Sequence, residues 1–151
     1  MIYDAMDVAH YMIDCCFEIG APVSNTKLQN LLYYAQGQSL QATGQPLFKD
    51  EMYVWGLGVI IYKVHRKYSV FCASNIFKRS TDSIVKGDQL AELIIIKTLM
   101  EQLPLNLWQL IDNIKGEDPW KYNYQVYGKK TLIPVESIKN YFCSKNANQK
   151  I

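Results

Sequence analysis

Metal-ligating side chains are scarce in this sequence. Of 151 residues only 4 are cysteine and 2 histidine, and Cys15, Cys16, Cys72 and Cys143 never take the CxxC spacing of a thiolate metal site. His10 and His65 could complete a zinc site only from scattered positions, so neither a metal nor a cofactor is expected. Long apolar runs are missing as well. Nothing approaches the ~20 residues of a membrane span, and MIYDAMDVAH carries no basic run ahead of an apolar segment. The expectation is a soluble, cytoplasmic protein with no membrane contact, its thiols reduced and packed as small hydrophobes. Charge of one sign is lacking too: 16 basic and 14 acidic residues leave a net +2, which removes the strong field that nucleic acid or anionic lipid would demand.

The usual signs of catalysis are also absent. An enzyme needs a nucleophile beside a base, a carboxylate pair or a phosphate-cradling loop, and none is visible. The string WGLGVI lacks both the third glycine and the strand-loop-helix context of a dinucleotide fingerprint and reads as a turn. The chain is therefore expected not to be an enzyme.

What is present suits one globular domain with a proper core: 49% hydrophobic residues and 13% aromatics, among them 11 tyrosines. Asp7 can cap a helix through VAHYMIDCCFEI, stopped by Gly20 and Pro22. Ser24 or Asn25 caps a longer one to about Ala42. EMYVWGLGVI is a short strand running into a tight turn, and YKVHRKYS a short helix. Ser69 to Lys86, including FKRSTDS, has no period and reads as a long, mobile loop. Asp88 caps DQLAELIIIKTLMEQL, apolar on most of its circumference and so expected in the middle of a bundle. LNLWQLIDNIKG and IPVESIKNYFCSK complete about six helices, with a small two-stranded pairing between the strand around Tyr53 and the stretch from Thr131 to Ile133. The expected fold is mainly α, a compact single-domain bundle over 1–143 followed by a flexible tail, 144–151.

The second helix, SNTKLQNLLYYAQG, raises a question of function. Leu28, Leu31, Leu32 and Ala35 form one apolar stripe at ~100° per residue. Lys27, Asn30, Tyr34 and Gln38 fall on one shoulder of it, and Gln29, Tyr33 and Gln36 on the other. Such shoulders either pack against neighbouring helices or present tyrosines to a partner.

This stretch, followed by TGQPLFKDE and then by Trp55 and Gly58, resembles the Panacea domain, a family that contains GepA-like phage-associated proteins and SocA-like antitoxins. Tyr62, Tyr68, the pair Pro119-Trp120 and the closing Ile133, Ile138, Tyr141 and Phe142 extend the match over nearly the whole chain. The resemblance implies a mainly helical domain of prophages, mobile elements and toxin-antitoxin pairs. Many members are antitoxins, a protease-adaptor role is ascribed within the family, and no enzymatic activity is implied. The chain departs from the pattern in having Gly58-Val59 where the family has Gly-Pro, in lacking a histidine in LIDNIKG, and in the loop FKRSTDS. Partner contacts are expected to differ accordingly.

The leading expectation is an interaction module acting as an antitoxin that neutralises a cognate toxin by direct binding, with a protease as a further partner. The binding surface is expected to include Lys27, Gln29, Tyr33, Tyr34, Gln36, Trp55, Gly58 and Tyr62, the aromatics as anchors. The alternative is an anti-defence protein of a phage or mobile element that inhibits a host defence factor through the same scaffold. A nucleic-acid-binding regulator using Lys63, Arg66 and Lys67, with Lys78 and Arg79 in the loop, is less favoured because the charges are few.

Overall fold

The computed structural model describes residues 1–77 and 83–149. Its first helix, α1 (Ala5–Glu18), starts before the expected cap: the Asp4 carboxylate accepts from the Met6 N–H at 2.9 Å. Ser24 caps α2 (Asn25–Thr43) through the Lys27 N–H, and Gly44 ends it at φ 75° in the left-handed region. The strands β1 (Met52–Trp55) and β2 (Gly58–Ile60) form a hairpin, followed by α3 (Tyr62–Tyr68) and α4 (Gln89–Gln102). Then come α5 (Leu107–Lys115), opened by a reciprocal Asn106–Gln109 capping box, α6 (Asp118–Tyr127), β3 (Leu132–Ile133) and α7 (Val135–Gln149).

The fold is mostly helical with a small antiparallel sheet, as expected, but among the described residues there is one helix and one strand more than the sequence reading. The extra helix is α6. Its sequence, DPWKYNYQVY, buries only Pro119, Trp120 and Asn123 and so offers no apolar stripe, although Pro119 and Asp118 in its first turn are helix-start signals. The pairing of β1 with β3 lies where it was expected, with Met52 opposite Ile133 and Tyr53 opposite Leu132. The added strand is β2, and the sheet order is β2-β1-β3. Of the loop Ser69 to Lys86, residues 78–82 lie outside the described residues. Around them Ser69–Phe71 is a single 3-10 turn, Ile76 and Val85 are buried, and Ile76 N–H donates to Val23 O at 2.8 Å. Helix α7 runs on to Gln149, into the stretch read as a tail.

Helix α2 is the centre of the molecule. It packs against α1, α3, α4, α5, α7 and β2, and every residue from Leu28 to Leu40 is buried. Two close approaches fix how its neighbours sit. A Cβ on Gly37 would lie 2.3 Å from the Phe142 ring of α7. At Gly58, where φ is +106°, a Cβ would lie 2.0 Å from Asn30 Oδ1. Glycine at 58 thus serves the hairpin turn and lets β2 approach the α2 amide.

Gly58→Ala is expected to lower stability by more than ~2 kcal/mol, since it adds strain at positive φ to a clash with buried Asn30. Gly56→Ala, at a position with open space around it, is the control and should change little. Urea unfolding of both variants checks this, and equal stabilities would refute the role given to Gly58.

Candidate protein-binding surface

The shoulders of α2 do not face solvent. Gln29, Tyr33 and Gln36 are 0% exposed and Tyr34 only 3%, so four residues expected on a partner surface are interior. The reason is that α2 is enclosed on every side, and its polar groups serve backbone elsewhere. Gln36 Oε1 accepts from Leu47 and Phe48 N–H, while its Nε2 donates to Phe48 O. Gln29 Oε1 accepts from Ile61 N–H at 2.8 Å, and Asn30 Oδ1 from Val59 N–H at 3.1 Å. Gly58 is buried as well. Lys27 is half-buried, its pKa lowered by that burial. Its ammonium donates to Leu103 O and Leu105 O, tying α2 to the end of α4.

The two tyrosines close on a residue that the sequence reading passed over. Tyr33 and Tyr34 hydroxyls donate to the two oxygens of Glu117, each at 2.8 Å. Glu117 directly precedes α6 as its N-cap, so this clamp fixes α6 on α2. Burial raises the carboxyl's pKa, although both hydroxyls and Lys145 oppose the rise. Both phenol pKa values rise in turn, mainly through burial. The signal available in the sequence was a lone glutamate after Gly116 and before Asp118-Pro119, a helix-start pattern.

The exposed remainder of the expected surface is coherent. Alternation along β1 buries Met52 and Val54 and turns Tyr53 and Trp55 outward. Across from them α3 presents Tyr62 and His65, one turn apart. The rings pair, Tyr53 with Tyr62 at 5.0 Å and Trp55 edge-on to His65 at 5.2 Å. Burial lowers the His65 pKa. Below the row, Trp120 Nε1 donates to Trp55 O and Gly58 O, and its ring stacks on the half-exposed Tyr124 at 4.8 Å. Charges of both signs rim the row. Lys63 pairs with Asp4, Tyr53 OH donates to Glu51 at 2.8 Å, and Arg66 and Lys67 are exposed. With one of its cations paired and carboxylates interleaved, this rim suits a protein better than a polyanion. Lys78 and Arg79 lie outside the described residues.

A second exposed apolar surface contradicts an expectation. Helix α4 is not buried all round. Its inner side, Ala91, Ile94, Ile95, Thr98 and Leu99, packs inward, whereas Leu90, Leu93, Ile96 and Met100 are 55%, 64%, 42% and 74% exposed. A groove of about 420 Å³ lies between α4 and α1 beside Ile96 and Met100, lined by Tyr11, Cys15 and Ile19 among others, whereas Leu90 and Leu93 border a separate groove against the end of α2, with Gln38, Gln41 and Ala42. Among the described residues no group of three or more His, Cys, Asp or Glu could hold a metal ion, and no helix is long and apolar enough to cross a membrane.

No protein-family model matches the chain, and no solved structure matches it significantly. A curated protein does. The chain is similar to Antitoxin SocA of Caulobacter vibrioides. The two are 34% identical over 93 residues, which is 62% of this chain and 47% of that protein. The chain thus spans about half the length of that relative. The similarity agrees with the SocA-like side of the resemblance read from SNTKLQNLLYYAQG. The wider Panacea-domain pattern rests on its motif residues.

The buried carboxylate makes a prediction about pH. Because Glu117 binds its proton more tightly in the folded state, its contribution to stability is full below the ordinary value of 4.5 and is lost as pH rises through the folded value. Glu117→Gln keeps an acceptor for the tyrosines and removes the titration. Its stability relative to the unmodified protein should therefore rise with pH across that window. A difference in urea stability that stays flat with pH would sink this account.

Proposed function

We propose that this protein is an antitoxin that neutralises a protein toxin by binding it directly. The similarity to Antitoxin SocA carries the reading, and the aromatic row of β1 and α3 supplies a surface fit for the task. Tyrosine and tryptophan bring large contact area at low entropic cost, and these rings stand on a hairpin whose backbone α2 holds from below. The mechanism is stoichiometric and non-catalytic: the aromatic row covers the toxin's working surface, and the rim of Glu51, Lys63 and Arg66 sets orientation. Delivery of the bound toxin to a protease is a later step that binding does not require, so neutralisation should persist in cells lacking the main ATP-dependent proteases.

The test is to co-express this protein with the reading frame encoded beside it, following growth and co-purification. Rescue of growth together with a stable complex is the expected result. A harmless neighbour that forms no complex would refute the reading. Within a complex, Trp55→Ala and Tyr62→Ala should each weaken binding by ~2 kcal/mol or more while the unfolding transition stays in place. Tyr34→Ala should instead lower stability, because it opens the Glu117 clamp. Isothermal titration and thermal unfolding of the three variants separate the two classes.

A further inference from the structure

A groove of about 1030 Å³ lies between α6 and α7. Tyr122, Tyr127 and Tyr141 line it together with Asn123, Ser137 and Asn140, a mixture of tyrosine, asparagine and serine that suits adaptable hydrogen bonding to a protein. Its two charged wall residues, Asp118 and Lys145, are of opposite sign, so the groove does not concentrate ions of either sign. Asn123 is the one wall residue that is almost wholly buried, at 3% exposed. Its Nδ2 donates at 2.7 Å to Pro119 O, four residues back. Its Oδ1 accepts no hydrogen bond from the described residues. Nor is that oxygen sealed in, because Gln102 Oε1 is the only fully buried side-chain nitrogen or oxygen among the described residues that lacks a partner.

The same arrangement occurs in α2 with its acceptor filled. Asn30 Nδ2 donates at 3.0 Å to Thr26 O, again four residues back, and Asn30 Oδ1 accepts from the Val59 N–H. What the braced amide meets there is extended backbone. Gln29 and Gln36 use their Oε1 atoms likewise, on the N–H groups of Ile61, Leu47 and Phe48. We infer that the α6–α7 groove binds an extended peptide segment of a partner protein, with Asn123 Oδ1 accepting a backbone N–H of that segment as Asn30 Oδ1 accepts Val59. A peptide backbone is uncharged and donates at regular intervals, which matches a groove of balanced charge with a buried acceptor. The lengths agree as well. Helix α6 has 10 residues and so spans about 15 Å, roughly the reach of four or five extended residues. Tyr122 and Tyr127, 57% and 65% exposed, offer ring surface on either side of the buried amide, and Asn140 offers a second amide from α7. The inference does not rest on the antitoxin reading, because it uses no residue of the aromatic row.

The probe is a displayed library of short, random, linear peptides panned on the purified chain. Selected peptides should bind at micromolar concentration by fluorescence polarisation and should move the Asn123 side-chain amide signals in the NMR spectrum. Tyr122→Ala and Asn140→Ala, both at exposed positions, should each weaken a selected peptide by about ten-fold with unchanged circular dichroism, and Asn123→Ala should weaken it by a similar factor. N-methylation of the one peptide N–H that meets Asn123 should cost as much, and should cost nothing further against Asn123→Ala. Should that variant fail to fold, the methylation scan and the two surface variants decide the matter. A library that yields no binding peptide would overturn the inference, as would peptides that tolerate N-methylation at every position. Peptides lost with Trp55→Ala but retained by Tyr122→Ala would overturn it too, because they would occupy the aromatic row.

Discussion

Everything in this fold leans on one requirement: the polar side chains of a fully enclosed helix must find partners. Burying an amide or hydroxyl without a hydrogen bond costs ~1–3 kcal/mol, and α2 buries Gln29, Asn30, Tyr33, Tyr34 and Gln36 along a few turns. Each is satisfied by a group from a different part of the chain. Gln36 grips the PLF segment after α2, Gln29 and Asn30 grip β2 and its approach, and the tyrosines grip Glu117. The edge of β2 that no strand covers is thereby closed by side-chain amides, which take the place of a fourth strand. Long-range order is written into the polar residues of α2, and the apolar residues supply the bulk of the burial.

That division explains what the sequence disclosed. The core stripe Leu28, Leu31, Leu32 and Ala35 was legible from its period, as were the helices capped at Ser24 and Asp88 and the pairing of the Tyr53 strand with Thr131 to Ile133. Polar shoulders were not, because glutamine and tyrosine beside an apolar stripe look the same whether they meet water or a backbone amide. Only the number of neighbours around α2 decides, and that is a property of topology. Helix α6 was hidden for a related reason. It is held by two hydrogen-bonding residues, Glu117 and Trp120, and by no apolar stripe that a period could reveal. At the candidate surface Trp55 and Tyr62 are half-exposed or exposed, as a partner site needs, while Tyr33, Tyr34, Gln29 and Gln36 belong to the frame beneath it.

The frame and the surface are nonetheless connected. Asn30 holds Val59 N–H and Leu57 O on either side of the hairpin turn, and Trp120 binds Trp55 O and Gly58 O from below. The backbone that carries Trp55 is thus fixed by two buried donors and an acceptor that never touch solvent. Preorganisation of this kind lowers the entropic cost of binding. It also means that the α2 motif and the Trp-Gly turn form a single mechanical unit.

The apolarity of α4 requires a different explanation. Helix α2 is the enclosed helix of the fold, buried at every residue from Leu28 to Leu40, and α4 packs against it from outside. A side of the largely apolar α4 is left uncovered within its own chain, and Leu93, Ile96 and Met100 are on that side. Lys27 and Gln38 fasten α4 to α2 through Leu103 O, Leu105 O and Glu101, whereas Gln29 and Asn30 hold the hairpin and the segment after it. The α4 stripe and the aromatic row are therefore separate surfaces on one rigid core.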